Sequence, residues 1–269
     1  MRLPKRKAYT SQIHSTPPLL RLEVRVNWGV LRSPLLAVPH GFTTRTGGVS
    51  PPPFDTLNLG LSTADDPKNV LENRRRVLAL FGDPPQAGLR QVHGATVHAV
   101  EAAGEWEGDG LLTHTPGLLL RVSVADCYPI LLHEPVRGVV GALHAGWRGV
   151  VQGILPRALA LAQARYGADP AQVRVAVGPG IGGCCYQVGP EVVEAFEQAG
   201  LPFYRPDSEP GRFRLDLEAA IRAQALQAGV RAAHYWALGA CTYTDSRFFS
   251  YRRERNTGRM WAVIMLAPT

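Results

Sequence analysis

Between Leu118 and His144 the chain passes through three apolar segments with little between them: Leu118–Val124, Ile130–His133 and Val139–His144. Runs this short, rich in Val, Ile and Leu and bounded by turn residues, fit buried strands better than helices. Only Glu134–Gly138 separates the second run from the third, so those two form a hairpin. The ends of these runs carry reactive side chains. Cys127 follows Asp126 and precedes Tyr128-Pro129, while His144 closes the last run before Ala145-Gly146-Trp147-Arg148. Strands that end in a thiol and an imidazole can bring both to one rim, as a thiolate–imidazole pair or a metal site requires.

The rest of the chain mixes strand and helix signals. Val24–Val30, the start of Gly41–Ser50, Gly88–Val100 around His93-Gly94, Asp109–Leu112, Val173–Val177, His234–Leu238 and Met260–Leu266 read as strands. Helical spacing runs from Asp65-Asp66-Pro67 to Gly82, over Val151–Tyr166 with Gly167 as its stop, and over Pro190–Ala199 and Leu215–Gln227. Asp followed by Pro is a cap followed by the first helical position. Strands dominate early and the two types mix later, so the expected class is α+β with a mixed sheet. No linker divides the chain. Residues 1–20 read as a basic flexible tail and residues 21–269 as a single catalytic domain.

Composition narrows the function. At 45% hydrophobic and 19% charged over 269 residues, the chain can bury a sizeable core. It holds no apolar run long enough to span a membrane, and no signal-type apolar region follows the basic start at Arg2, Lys5, Arg6 and Lys7. A cytoplasmic protein without a membrane partner is expected. The net charge of +7 favours anions. The positive residues are scattered, though, with only short runs at Arg74-Arg75-Arg76 and Arg252-Arg253, so a nucleic-acid partner is not expected. Cys127, Cys184, Cys185 and Cys241 form no C-x-x-C pair and no disulfide framework, and they read as thiols. The vicinal Cys184-Cys185 pair can close a strained ring, but two thiols at a turn fit the same residues.

Cys127 and His144 gain a third partner in His93, within Gln91-Val92-His93-Gly94. One Cys and two His make a zinc ligand set with the fourth position open to water or substrate. A buried thiol and two ordinary histidines would show the same spacings of 34 and 17 residues. His14, His40, His98, His114, His133 and His234 have no cluster partner and read as structural or solvated. Arg45 in a Thr-Thr-Arg-Thr-Gly-Gly turn, Arg148 beside Trp147, and Arg252-Arg253 are the candidates for an anion, because guanidinium forks match phosphate or carboxylate oxygens. Gly178–Gly183 reads either as an anion-binding nest of backbone amides or as a tight turn, and it lacks the G-K-[ST] ending of a P-loop.

Seven motifs, in order, resemble the bacterial laccase-domain (YfiH-like) family. They are G-F-T-T-R-T-G-G-V-S, N-L-G at Asn58–Gly60, Q-V-H-G, A-D-C-Y-P-I, H-A-G-W-R-G, G-P-G-I-G-G-C-C-Y-Q-V and F-F-S-Y-R-R…T-G-R. The resemblance spans about Val24 to Leu266. Members of that family were called multicopper polyphenol oxidases and are now described as purine nucleoside phosphorylases with adenosine deaminase activity.

The resemblance implies a sandwich of two mixed β-sheets flanked by helices, similar to the toxin-type Cys–His deamidases. It implies a zinc site at His93, Cys127 and His144, which would be both the metal ligands and the catalytic centre, with copper as the alternative metal. The implied substrates are phosphate and the purine nucleosides adenosine, inosine and S-methyl-5′-thioadenosine. Arg45, Arg148 and Arg252 would meet phosphate and Asn58 the ribose. Gln187 is a departure, since the family usually has Glu there. Two other enzymes remain in view: a peptidoglycan-editing amidase acting on UDP-muramyl precursors, with Cys127 as nucleophile, and a copper-dependent polyphenol oxidase. A multicopper site needs paired H-x-H motifs, and the chain has none. A zinc-stabilised binding protein is the rival outside enzymes, but a purely structural site would use four protein ligands. Oligomeric state is left open.

Overall fold

The computed structural model describes residues 29–268. The basic tail and most of the expected Val24–Val30 strand lie outside the described residues; β1 is Val30–Leu31.

Two six-stranded sheets dominate. The first runs β1, β2 (His40–Thr43), β15 (Met260–Ile264), β7 (Leu119–Val124), β3 (Gln86–Arg90) and β5 (Gly104–Glu107). It is antiparallel as far as β7 and parallel from β7 through β3 to β5. The second runs β14 (Tyr235–Ala237), β10 (Arg174–Val177), β8 (Tyr128–Glu134), β9 (Val139–Ala145), β6 (Gly110–Thr113) and β4 (Val97–Ala99). Its outermost pairs are parallel and its inner pairs antiparallel. A small antiparallel sheet joins β11 (Gln187–Val188), β13 (Phe213–Leu215) and β12 (Tyr204–Pro206). The helices are α1 (Pro67–Ala79), α2 (Trp147–Val151), α3 (Ile154–Tyr166), α4 (Pro190–Gln198), α5 (Leu217–Gln227) and α6 (Tyr251–Glu254). No helix among the described residues is long and apolar enough to cross a membrane.

The strand period of two sorts side chains into layers. Leu120, Val122 and Val124 of β7, with Met260, Ala262 and Ile264 of β15, share one core with Leu131, Val140, Ala142 and Ala176 of the second sheet. The opposite faces are covered by helices. Ile130, Leu132, Leu143, Val175 and Val177 pack under α2, α3, α4 and α5. Leu119, Trp261 and Val263 pack against Val77 of α1 and Phe81. Strand β7 thus packs on both faces: Leu120, Val122 and Val124 enter the inter-sheet core, while the other face carries Leu119 beside the polar Arg121 and Ser123.

Three expectations need adjustment. The single helix over Val151–Tyr166 is two helices, because Gly153 adopts φ +75° and breaks the chain direction between α2 and α3. The helix expected from Leu215 begins at Leu217, where Asp216 caps the Ala219 amide at 3.0 Å, and Leu215 belongs to β13. Strand β5, the three-stranded sheet and α6 carry no apolar pattern that would announce them; β5, for example, reads Gly-Glu-Trp-Glu and is largely exposed.

Candidate active site

Asp109 is the hub of the site. Its carboxylate is fully buried just before β6. It accepts from the backbone amides of His93 at 3.0 Å and Gly94 at 2.7 Å, and it meets Nδ1 of His144 at 2.8 Å. The Asp109 carbonyl also accepts the His144 amide at 2.7 Å. One side chain therefore shapes the β3–β4 turn, where His93 takes φ +60°, and orients the imidazole on β9. Burial opposes ionisation of Asp109, but His144 and the turn amides outweigh it and hold the carboxyl below its usual range.

Cys127 occupies the turn between β7 and β8. Asp126 before it takes φ +99°, a conformation rare for a residue with a side chain. The turn is clamped in place. Asp126 Oδ1 accepts from Thr242 Oγ1 at 2.6 Å, Oδ2 accepts the Arg252 amide at 2.6 Å, and the Asp126 carbonyl accepts the Ile181 amide at 2.8 Å. Strain at such a turn persists only when its surroundings impose it, and here three separate segments do so.

The ligand atoms of His93, Cys127 and His144 all lie within 4.8 Å of one another, and the two imidazoles meet edge to face with centroids 4.8 Å apart. Burial disfavours the Cys127 thiolate, yet His144 and His93 outweigh burial and hold the thiol down at about 6. Burial likewise disfavours the His144 cation, yet Cys127 and Asp109 push it up to about 9. Between about pH 6 and about pH 9 the metal-free pair favours a thiolate and an imidazolium. The donor set also fits zinc: two imidazoles and one thiolate, with Asp109 holding Nδ1 of His144 and leaving Nε2 for a ligand. Gly146 leaves room beside them, since a Cβ there would sit 3.2 Å from Cys127 Sγ.

The trio opens into a cavity of about 880 Å³. Its wall is rich in arginine, with Arg148 and Arg252 on the side of Trp147 and Tyr186, and Arg74, Arg121 and Arg259 further along. Arg252 Nη1 donates to the Gln187 carbonyl at 2.8 Å and its guanidinium lies over Tyr186. Exposed Arg148 lies over the Trp147 ring, at 4.5 Å, its guanidinium making no ion pair or hydrogen bond among the described residues. Arg74 and Arg121 both stack on buried Trp261, and Arg121 pairs with Glu105.

The structure brings His93, Cys127, His144, Arg148 and Arg252 together, but it does not bring Arg45 or Asn58 to the cavity wall. Arg45 is committed to Asp55 and Glu254 and packs over Phe249. Asn58 is fully buried; its Oδ1 accepts the Gly60 and Arg259 amides at 3.0 and 2.9 Å, so it fixes the segment that presents Arg259. Arg253 is spent on the carbonyls of Thr242, Tyr243 and Phe248. The nest reading of Gly178–Gly183 gives way to the turn, because the amides of Gly178, Gly180, Ile181 and Gly182 already serve internal acceptors. Gln187 turns its side chain to Asp207 and Glu209, both at 3.0 Å, where a neutral amide can donate and a carboxylate would be repelled. His40, His98 and His234 bind backbone carbonyls, in keeping with structural roles. Asp109 was missed. Its only signal in the sequence is an acid between Gly108 and Gly110, directly before a fully buried strand.

Together these features define a protein with a buried Asp–His pair, a half-buried cysteine and a second, exposed histidine at the mouth of an arginine-lined cavity. The chain belongs to the multi-copper polyphenol oxidoreductase laccase family, whose model matches residues 39–267. It is 49% identical over 240 residues to a purine nucleoside phosphorylase of Deinococcus radiodurans, covering 88% of this chain and 92% of that one. It is 39% identical to the purine nucleoside phosphorylase YlmD of Geobacillus stearothermophilus, over 86% of this chain and 91% of the relative. The crystal structure of that YlmD superposes with a TM-score of 0.84, covering 91% of this chain and 97% of the other. The structure of Bacillus licheniformis hypothetical protein YfiH superposes at 0.83 with 33% identity, over 89% and 97%.

Proposed function

We propose that this chain is a purine nucleoside phosphorylase that holds zinc at His93, Cys127 and His144. The observation that carries the reading is the free guanidinium of Arg148 beside the three-ligand site, in a chain 49% identical to the Deinococcus phosphorylase. The proposed substrates are phosphate with adenosine, inosine or S-methyl-5′-thioadenosine. A phosphate oxygen bonds to ribose C1′ as the bond from C1′ to the purine nitrogen breaks. The electron pair leaves with the base, a proton from solvent neutralises it, and the other product is ribose 1-phosphate, or 5-methylthioribose 1-phosphate where the substrate is S-methyl-5′-thioadenosine.

Arg148 and Arg252 hold the phosphate dianion in this scheme, since fork-shaped donors orient its oxygens. Arg45 and Asn58 act at one remove: Arg45 ties down the Asp55 loop and Asn58 fixes the segment carrying Arg259. Asp109 keeps His144 in the tautomer that ligates. The chemistry a bound zinc supplies is Lewis-acid stabilisation of charge and activation of water at neutral pH. Deamination of adenosine at the same centre belongs to the proposal. The H-x-E and P-C-x-x-C signature of nucleobase deaminases is absent, so its constellation would differ.

One observation favours a second reading. Asp109, His144 and Cys127 form an acid–imidazole–thiolate series, and the depressed Cys127 thiol suits a nucleophile. That arrangement supports an amidase of the peptidoglycan-editing kind and the kinship to Cys–His deamidases. The deciding experiment incubates the purified protein with inosine, with and without phosphate, and follows hypoxanthine. Phosphate-dependent release of base and ribose 1-phosphate is expected. No release, together with amide cleavage of a muramyl–serine precursor, would overturn the phosphorylase.

A further inference from the structure

Three cysteines remain outside this chemistry. Cys184 and Cys185 lie on the turn after Gly178–Gly183, and Cys241 lies on the loop after β14, a separation of 56 residues or more. The fold brings their sulfurs within 4.8 Å of one another, with Cys184 and Cys185 Sγ 3.1 Å apart. The two loops are tied at backbone level as well. Gly180 donates to the Ala240 carbonyl, Thr242 donates to the Gly180 carbonyl at 2.9 Å, and Gly182 donates to Cys241 Sγ at 3.2 Å.

We propose that Cys184, Cys185 and Cys241 form a second, sulfur-only metal site for a soft d10 cation, distinct from the His93–Cys127–His144 centre. A zinc–sulfur bond of about 2.3 Å places two sulfurs of one tetrahedral ion about 3.8 Å apart, which the observed spacing brackets. Thiolate ligands select zinc and cuprous ions over hard cations. Gly182 keeps the centre of the cluster open, because a Cβ there would lie 3.4 Å from both Cys184 Sγ and Cys241 Sγ. Burial opposes the Cys241 thiolate, but the amides of Gly182, Thr244 and Tyr243 outweigh it and hold that thiol below its usual range. Burial and the neighbouring sulfurs drive Cys185 the other way, up to about 12. Three thiolates cannot share this space without a cation between them. Each thiol that ligates releases its proton to solvent, and no electron is transferred.

The consequence is local order. Ile181 and Tyr186, on either side of the Cys184-Cys185 turn, both line the catalytic cavity. A cation there would pin that wall to the loop that clamps Asp126.

The test is metal stoichiometry of the full chain, reduced and anaerobic, loaded separately with Zn2+ and with Cu+ against a chromophoric competitor. Wild type should hold one equivalent more than Cys241→Ser and more than Cys184→Ser, whose exposed position spares the core. Cys127→Ala should retain that equivalent whatever becomes of the first site. Cobalt substitution should give sulfur-to-metal charge-transfer absorption that survives Cys127→Ala and falls severalfold in Cys241→Ser. Equal stoichiometry in wild type, Cys184→Ser and Cys241→Ser overturns the site. So does a thiol count showing Cys184 and Cys185 joined as a disulfide in the reduced protein.

Discussion

The carboxylate of Asp109 meets Nδ1 of His144 at 2.8 Å while the same carboxylate caps the turn that carries His93. Two of the three candidate metal ligands are thus set by one buried acid outside the ligand set.

Asp109→Asn should therefore act on the metal without touching it. The amide keeps the size of the group but reverses the polarity of one atom facing His144 and the turn amides. Loss of such a supporting partner weakens metal affinity about 10- to 100-fold. Competition against a chelator of known affinity measures it, and an unchanged dissociation constant would contradict the role.

Metal uptake should release protons in steps. With Cys127 at about 6 and His144 at about 9, the metal-free pair carries one proton between those values, and it sits on His144. Ligation removes that proton, so affinity should rise about tenfold per pH unit across the window. Below about pH 6 the Cys127 thiol is protonated too, so this pair gives up two protons and alone lowers affinity about a hundredfold per unit. Calorimetry in buffers of differing ionisation enthalpy counts them directly.

Arg148→Ala should raise the KM for phosphate with little effect on stability. A charged hydrogen bond to an anion contributes about 1.5–3 kcal/mol, or about 10- to 100-fold in KM. An exposed arginine resting on one ring changes folding by about 0.5 kcal/mol or less. Steady-state kinetics with varied phosphate, paired with thermal melting, separates the two effects.

Asn73→Ala should do the reverse. Its fully buried side chain donates to Ser50 Oγ and to the carbonyls of Thr56 and Asn58, and it accepts the Val49 amide at 2.8 Å. Removing it strands several buried groups at about 1–3 kcal/mol each. A drop in melting temperature of several degrees is expected, with the metal content of the folded fraction preserved.

Much of this was legible in the chain. The runs rich in Val, Ile and Leu around Cys127 and His144 announced β7, β8 and β9, because strands packed on both faces carry apolar residues at successive positions. The resemblance named the trio of His93, Cys127 and His144, which the fold gathers within 4.8 Å. Asp109 was not legible, since an isolated acid before a strand usually faces water and only tertiary contact shows it buried. Arg45 and Arg148 look alike in sequence; only folding shows Arg45 spent on Asp55 and on Glu254, 209 residues away, while among the described residues Arg148 has no such partner. The cysteine cluster was invisible for the same reason, as Cys241 joins Cys184 and Cys185 through a parallel bridge between Gly180 and Cys241.

Strand β15 lies between β2 and β7 in the middle of the first sheet, and the Asp126 turn is held by Thr242 and the Arg252 amide. During synthesis, strands β2 and β7 leave the ribosome long before the strand that joins them. The turn that carries Cys127 would therefore stay unclamped until Thr242, Arg252 and β15 have all been made, long after β7 itself.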